Sequence, residues 1–162
     1  MKNETQETQL EAKDGARYLN FNLGTEEYGI PLLTVKEVIA VPDMTPVPFT
    51  PSHFLGVMNL RGQVISVIDL RRKLGIKESK SGEEAVIICD LGQSCLGMVV
   101  DSVNSVITPY PSELSSPPEM GTSGSATEYL THIYRKEKKL VFLIDVLRLL
   151  DAQDRKALNR AA

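Results

Sequence analysis

The chain has 162 residues, 42% of them hydrophobic and 24% charged, and a formal net charge of -3. That length suits one domain or two small ones able to bury a core without disulfide or metal staples, and the acidic balance offers no basic field for nucleic acid. Neither a secretory h-region nor an apolar run near eighteen residues occurs, so the expectation is a soluble, cytoplasmic protein without a targeting segment.

Residues 1–16, "MKNETQETQLEAKDGA", are polar and cannot repay the entropy of ordering, which predicts a flexible tail. In "RYLNFNLG" the apolar Leu19, Phe21 and Leu23 alternate with Tyr18, Asn20 and Asn22, the period-two pattern of a half-buried strand, and "LGTEEYG" reads as its turn. "LGTEEYGIPLLTVKEVI" (23–39) aligns without a gap on "LGQSCLGMVVDSVNSVI" (91–107), an offset of 68. The same offset carries Leu19 and Phe21 onto Ile87 and Cys89, predicting that each pair packs in its own unit. "VIDLRRKL" (67–74) repeats as "LIDVLRLL" (143–150) at offset 76, the extra residues fitting the Pro/Ser/Gly-rich stretch 108–126. The chain therefore reads as two similar small β units, barrel or sandwich, over 17–75 and 85–144, with a linker at 76–84. A C-terminal helix is expected over 145–160, with Asp145 as N-cap, Val146, Leu147, Leu149 and Leu150 on one face, and Asp151 pairing with Arg155.

Catalysis needs a convergent nucleophile, acid or base, and charge stabiliser. His53 and His132 stand far apart and read as surface or turn residues; Ser66, Ser94 and Ser105 lack a GxSxG context; Asp69, Asp101 and Asp145 follow apolar runs, where carboxylates cap or pair locally. No phosphate-binding glycine loop occurs. Cys89 and Cys95 stand six apart without CxxC spacing and read as inert thiols. The expectation is no enzyme, no cofactor and no metal.

One charge stands out. Arg61, followed by Gly62, sits between the strand-like runs "FLGVMN" and "QVISVIDL", while Glu37 is embedded among Val35, Val38 and Ile39. A carboxylate in an apolar strand needs a partner, and a Glu37–Arg61 pair would supply one and leave a shallow apolar groove suited to a helix.

"FNLGTEEYGIPLLTVKEVI", "GVMNLRGQVISVIDLR", "LGMVVDSV", "SELSSPPE" and "TEYL" followed by "LIDVLRLL" resemble, in this order over residues 17–150, the CheW-like domain family of chemotaxis coupling proteins. The resemblance implies an all-β fold of two SH3-like five-stranded barrels. It implies a non-catalytic adaptor that joins the cytoplasmic tips of methyl-accepting chemoreceptors to the regulatory domain of a CheA-type histidine kinase, recruited to membrane-associated arrays without inserting in the membrane. A scaffold of a dedicated array controlling surface motility or gene expression is the alternative. Carried over residue by residue, the receptor-binding groove falls on Val35, Glu37, Gly56 and Arg61, with Val57 and Leu60 as apolar neighbours; kinase contacts fall on the turn regions carrying Glu27, Tyr28, Cys95 and Leu96. Two positions depart from the family pattern, Ser66 where proline is usual and His132 where glycine is common, and the "RKEKK" that follows is unusually basic.

Overall fold

The computed structural model describes residues 16–78, 82–117 and 128–161. The expected tail lies outside them except for Ala16, as do parts of the linker and of the 108–126 stretch. Eleven strands follow in the order β1 (Tyr18–Leu23), β2 (Glu26–Pro31), β3 (Val35–Ala40), β4 (Phe54–Leu60), β5 (Gln63–Asp69), β6 (Ala85–Asp90), β7 (Cys95–Val100), β8 (Ser102–Ile107), β9 (Leu114–Ser115), β10 (Leu130–Lys136) and β11 (Lys139–Ile144). The described residues also form short helices α1 (Leu70–Leu74), α2 (Val146–Leu149) and α3 (Ala152–Ala161), and two 3-10 turns at Leu32–Thr34 and Pro111–Glu113.

The repeat is real, but its copies are interlaced. One sheet has the order β8-β1-β2-β11-β10-β9, the other β3-β6-β7-β5-β4. Offsets 68 and 76 carry β1, β2, β3, β4 and β5 onto β6, β7, β8, β10 and β11, so the two orders are the same order with the copies exchanged. Each sheet takes its central hairpin from one copy and the rest from the other, three strands in the five-stranded sheet and four, counting the short β9, in the six-stranded one. Even the parallel junctions match: Leu143 of β11 lies beside Gly29, and Val67 of β5 beside Gly97. The expectation of separate barrels at 17–75 and 85–144 is thereby corrected, because strand pairing crosses the linker in both sheets.

Each sheet curls and closes. The chain leaving β3 returns at Thr45 to bridge Val57 of β4, with N–H···O distances of 2.8 Å both ways. The chain leaving β8 returns as β9 to pair with β10. Closure removes the open edges that two short sheets would otherwise expose. Tyr18, Tyr134, Val141 and Leu143 fill the first barrel; Met58, Ile65, Val67, Val86, Ile88 and Val99 fill the second. The largest core lies between the barrels and joins Leu19, Phe21, Leu23 and Ile30 to Ile87, Cys89, Leu96 and Met98. Leu19, Phe21, Ile87 and Cys89 thus share one core rather than packing in two.

Both repeated "ID" segments end a strand in an aspartate that caps a short helix. Asp69 accepts from the N–H groups of Arg71 and Arg72, and Asp145 from those of Leu147 and Arg148. The single helix expected over 145–160 is broken at Leu150–Asp151. Asp151 does not pair with the Arg155 side chain; its carboxylate accepts from the Asp154 N–H at 2.9 Å and from Lys73 Nζ at 3.1 Å, while Arg155 donates to the Leu147 carbonyl. Capping the new helix satisfies orphan backbone donors, which a surface ion pair does not.

Candidate functional site

The groove residues are set by two local devices. A bulge between Val35 and Glu37 shifts the register of β3 on β6, and the burial of the strand then alternates, with Val35, Glu37 and Ile39 half-buried and Lys36 and Val38 exposed. Across the barrel seam, β4 and β5 are joined by Arg61-Gly62, both left-handed at φ 52° and 87°, the pair of positive values of a type I′ hairpin turn. Gly62 N–H is held by Asn59 Oδ1 at 2.9 Å, so the tip is fixed.

From that tip the Arg61 guanidinium reaches Glu37 as a fork, Nη1 to Oε1 at 2.9 Å and Nη2 to Oε2 at 3.1 Å. The expected pair is present, linking the two edge elements of the second sheet. Glu37 is 26% exposed but Arg61 is 71% exposed. So exposed a pair adds little to stability; its effect is positional, leaving part of a five-donor guanidinium aimed outward in a fixed plane. The hydrogen bonds to Glu37, and then its charge, raise the arginine's pKa further.

Gly56 lies buried at a second bulge, at φ 144°, where a Cβ would come within 2.3 Å of the Thr45 carbonyl oxygen. Only glycine lets the Thr45 segment cover β4 at this point. Val57 and Leu60 are half-buried on the same hairpin, Leu60 packing on the second barrel's core, and Val35 packs against the core between the barrels. Val38 and Val64, one residue after Glu37 and two after the Gly62 turn position, are 41% and 52% exposed. Val64 was missed because an apolar residue inside a strand run reads as core.

The four kinase candidates fare differently. They lie within strands β2 and β7, not in turns, since the turn before β2 is confined to Gly24-Thr25. Leu96 is fully buried between the barrels, so its side chain cannot meet a partner, which corrects that assignment. Glu27 is half-buried and accepts from Asn20 and Asn104; Tyr28 packs on Phe142 and Phe21; Cys95 is half-buried, 4.0 Å from Lys36 Nζ.

Sequence reasoning also missed the polar centre that joins the copies. Arg71 is buried, donating to both Asp69 oxygens at 3.0 and 2.9 Å and to Asp101 at 2.7 Å, and Asp101 in turn accepts from Gly24 N–H at 2.6 Å. The Asp69 hydrogen bonds, with those of Asp101, hold the guanidinium's pKa far above its ordinary value. The repeated "IDLR" and "IDVL" segments carried the signal, but a five-residue helix shows no periodicity. His53 sits at a turn, as expected, yet its ring contacts the buried Asp154, which also accepts from Lys73 at 2.6 Å and so seats α3 on the body of the fold. His132 is not a surface or turn residue. It lies half-buried in β10, on the bulge matching that of Gly56, with Nδ1 unpartnered, and burial lowers its pKa. Ser66 is buried in β5, in register with both Val57 and Leu96, where proline would lose a ladder donor. Among the described residues no group of three His, Cys, Asp or Glu side chains is placed to hold a metal, and no helix is long and apolar enough to cross a membrane.

The CheW-like domain model matches residues 17–154. The chain is 34% identical over 149 residues to the chemotaxis protein CheW of Klebsiella aerogenes, covering 91% of this chain and 89% of that one. It is 28% identical over 153 residues to Protein FrzA of Myxococcus xanthus, covering 93% and 94%. Among solved structures it is similar to the scaffolding protein TtCheW from Thermoanaerobacter tengcongensis, with a TM-score of 0.76 at 29% identity, covering 86% of this chain and 95% of that one. With two interlaced barrels, a matching domain over most of its length and relatives that cover nearly all of it, the chain belongs to the CheW-like domain family.

Proposed function

We propose that this chain is a non-catalytic cytoplasmic adaptor that couples transmembrane chemoreceptors to a CheA-type histidine kinase in membrane-associated signalling arrays. The observation that carries the reading is the Glu37–Arg61 fork, which presents an exposed guanidinium in a fixed orientation and ties together the strand that carries the half-buried Val35 and the hairpin that carries the half-buried Val57 and Leu60. A receptor tip built as a helical hairpin would lay an apolar face on these residues, and Arg61 would fix its register through a carboxylate or a carbonyl. The adaptor works by holding two partners at once; the kinase takes the barrel surfaces that carry Glu27, Tyr28 and Cys95, of which Cys95 borders the groove through Lys36. The similarity to a relative whose name is Protein FrzA rather than CheW supports a second reading in which the same adaptor serves a dedicated array controlling surface motility or gene expression.

Co-sedimentation with receptor-containing membranes, with and without the kinase, tests the proposal. The chain is expected in the pellet with receptors, and the kinase only when the chain is added. A kinase that pellets equally well without the chain overturns the coupling role.

A further inference from the structure

The repeat places a second hairpin tip in correspondence with the Arg61 turn, and its chemistry is inverted. At offset 76, Leu60-Arg61-Gly62-Gln63 falls on Lys136-Glu137-Lys138-Lys139. The first turn residue is left-handed in both, at φ 52° for Arg61 and 56° for Glu137. Glu37, which holds Arg61, corresponds at offset 68 to Ser105, which has no charge to offer. Around Glu137 stand Arg135, Lys136, Lys138 and Lys139, all exposed and, among the described residues, none in an ion pair. Four cations and one anion in five consecutive positions make this tip strongly positive on a chain whose net charge is -3.

We propose that the β10–β11 tip is a docking surface for an acidic segment of a protein partner, separate from the Arg61 groove and independent of the receptor and kinase assignments. Like charges crowded on a two-residue turn repel one another, and an opposing acidic segment removes that repulsion. Glutamate in the left-handed region is also strained where glycine is not, so the turn is no simple loop default. The surroundings select the class of partner. Glu27 of β2 lies beside Val141 of β11, with the exposed Glu26 next to it, and Glu113 is close enough to Tyr134 for its charge and that of Lys136 to act oppositely on that phenol. These flanking carboxylates repel an extended polyanion such as a nucleic-acid duplex or an anionic bilayer. A short acidic segment can occupy the tip without meeting them.

The test is fluorescence anisotropy of a labelled deca-glutamate peptide titrated with the full chain at low ionic strength. Saturable binding is expected, weakened by salt, reduced about tenfold by Lys138→Glu with Lys139→Glu, and strengthened by Glu137→Gly, which removes the opposing charge and the strain. Reversal of the exposed Lys77 and Lys156 to glutamate should leave it unchanged. If the tip reversal unfolds the chain, Lys138→Gln with Lys139→Gln replaces it. Absence of peptide binding, equal loss in the Lys77/Lys156 control, or stronger retention by phosphatidylserine vesicles or duplex DNA overturns the proposal.

Discussion

Replacing Arg71 by alanine should be among the most damaging single changes in this fold. The Arg71 side chain is 4% exposed, and its carboxylate partners Asp69 and Asp101 are 2% and 6% exposed. Truncation removes three short charge-assisted hydrogen bonds and leaves two buried anions that had shared one guanidinium. Breaking a buried pair from one side costs about 3–5 kcal/mol. The surviving donors, Arg71 and Arg72 N–H to Asp69 and Gly24 N–H to Asp101, with the half-exposed Arg72 guanidinium 3.9 Å from Asp69, soften that but do not replace the buried guanidinium both carboxylates share. Against a total stability of about 5–15 kcal/mol, roughly a fifth or more of the fold's margin is at stake. Urea unfolding measures it, as a lower midpoint at unchanged slope. Arg71→Leu combined with Asp101→Asn should be less unstable than Arg71→Leu alone, because one orphaned charge is gone. A loss below about 1 kcal/mol, the level of an exposed pair, would refute the view that this centre clamps the two copies together.

Three other outcomes follow from the architecture. Because every sheet needs strands from both copies, fragments 1–78 and 82–162 should each lack strand signal in circular dichroism and regain it when mixed; a folded isolated fragment contradicts the exchange of strands. Burial depresses the His132 imidazole below its usual 6.5, so the unfolded chain takes up that proton first; this contribution to stability is complete above about pH 6.5 and is lost as the pH falls through the depressed value. His132→Leu should flatten the pH dependence, and an unaltered slope in thermal melts counts against the burial of that ring. Burial, with a smaller contribution from Cys95, pushes the Cys89 thiol up to about 12, so thiol reagents should modify only Cys95 in the folded protein, with mass spectrometry finding Cys89 labelled only after unfolding.

Glu37 and Arg61 were legible because each is a charge placed where its neighbours are apolar or turn-forming, and mutual satisfaction is the simplest solution. The repeat was legible for a similar reason, as identical spacing demands identical strands. What the spacing cannot say is which copy a strand pairs with. Offset 68 relates β2 to β7, yet the partner of β2 is β11 of the other copy, a choice made by the long-range cores around Leu143 and Val67. Asp151 shows the same ambiguity at short range. Its spacing from Arg155 fits an ion pair as well as its position fits a cap, and Lys73, distant in sequence, decides between them. In the sequence Leu96 reads as a turn residue because the preceding glycine-containing segment does, while its place in the core depends on packing from both barrels.

The groove is tested most directly by titrating the Arg61→Ala protein separately against receptor and kinase, after thermal unfolding confirms that it is folded. A marked loss of receptor affinity with kinase affinity retained is expected, and only partial rescue by Arg61→Lys, since an ammonium cannot reproduce the planar fork on Glu37. Undiminished receptor binding, or equal loss at both partners, would contradict it.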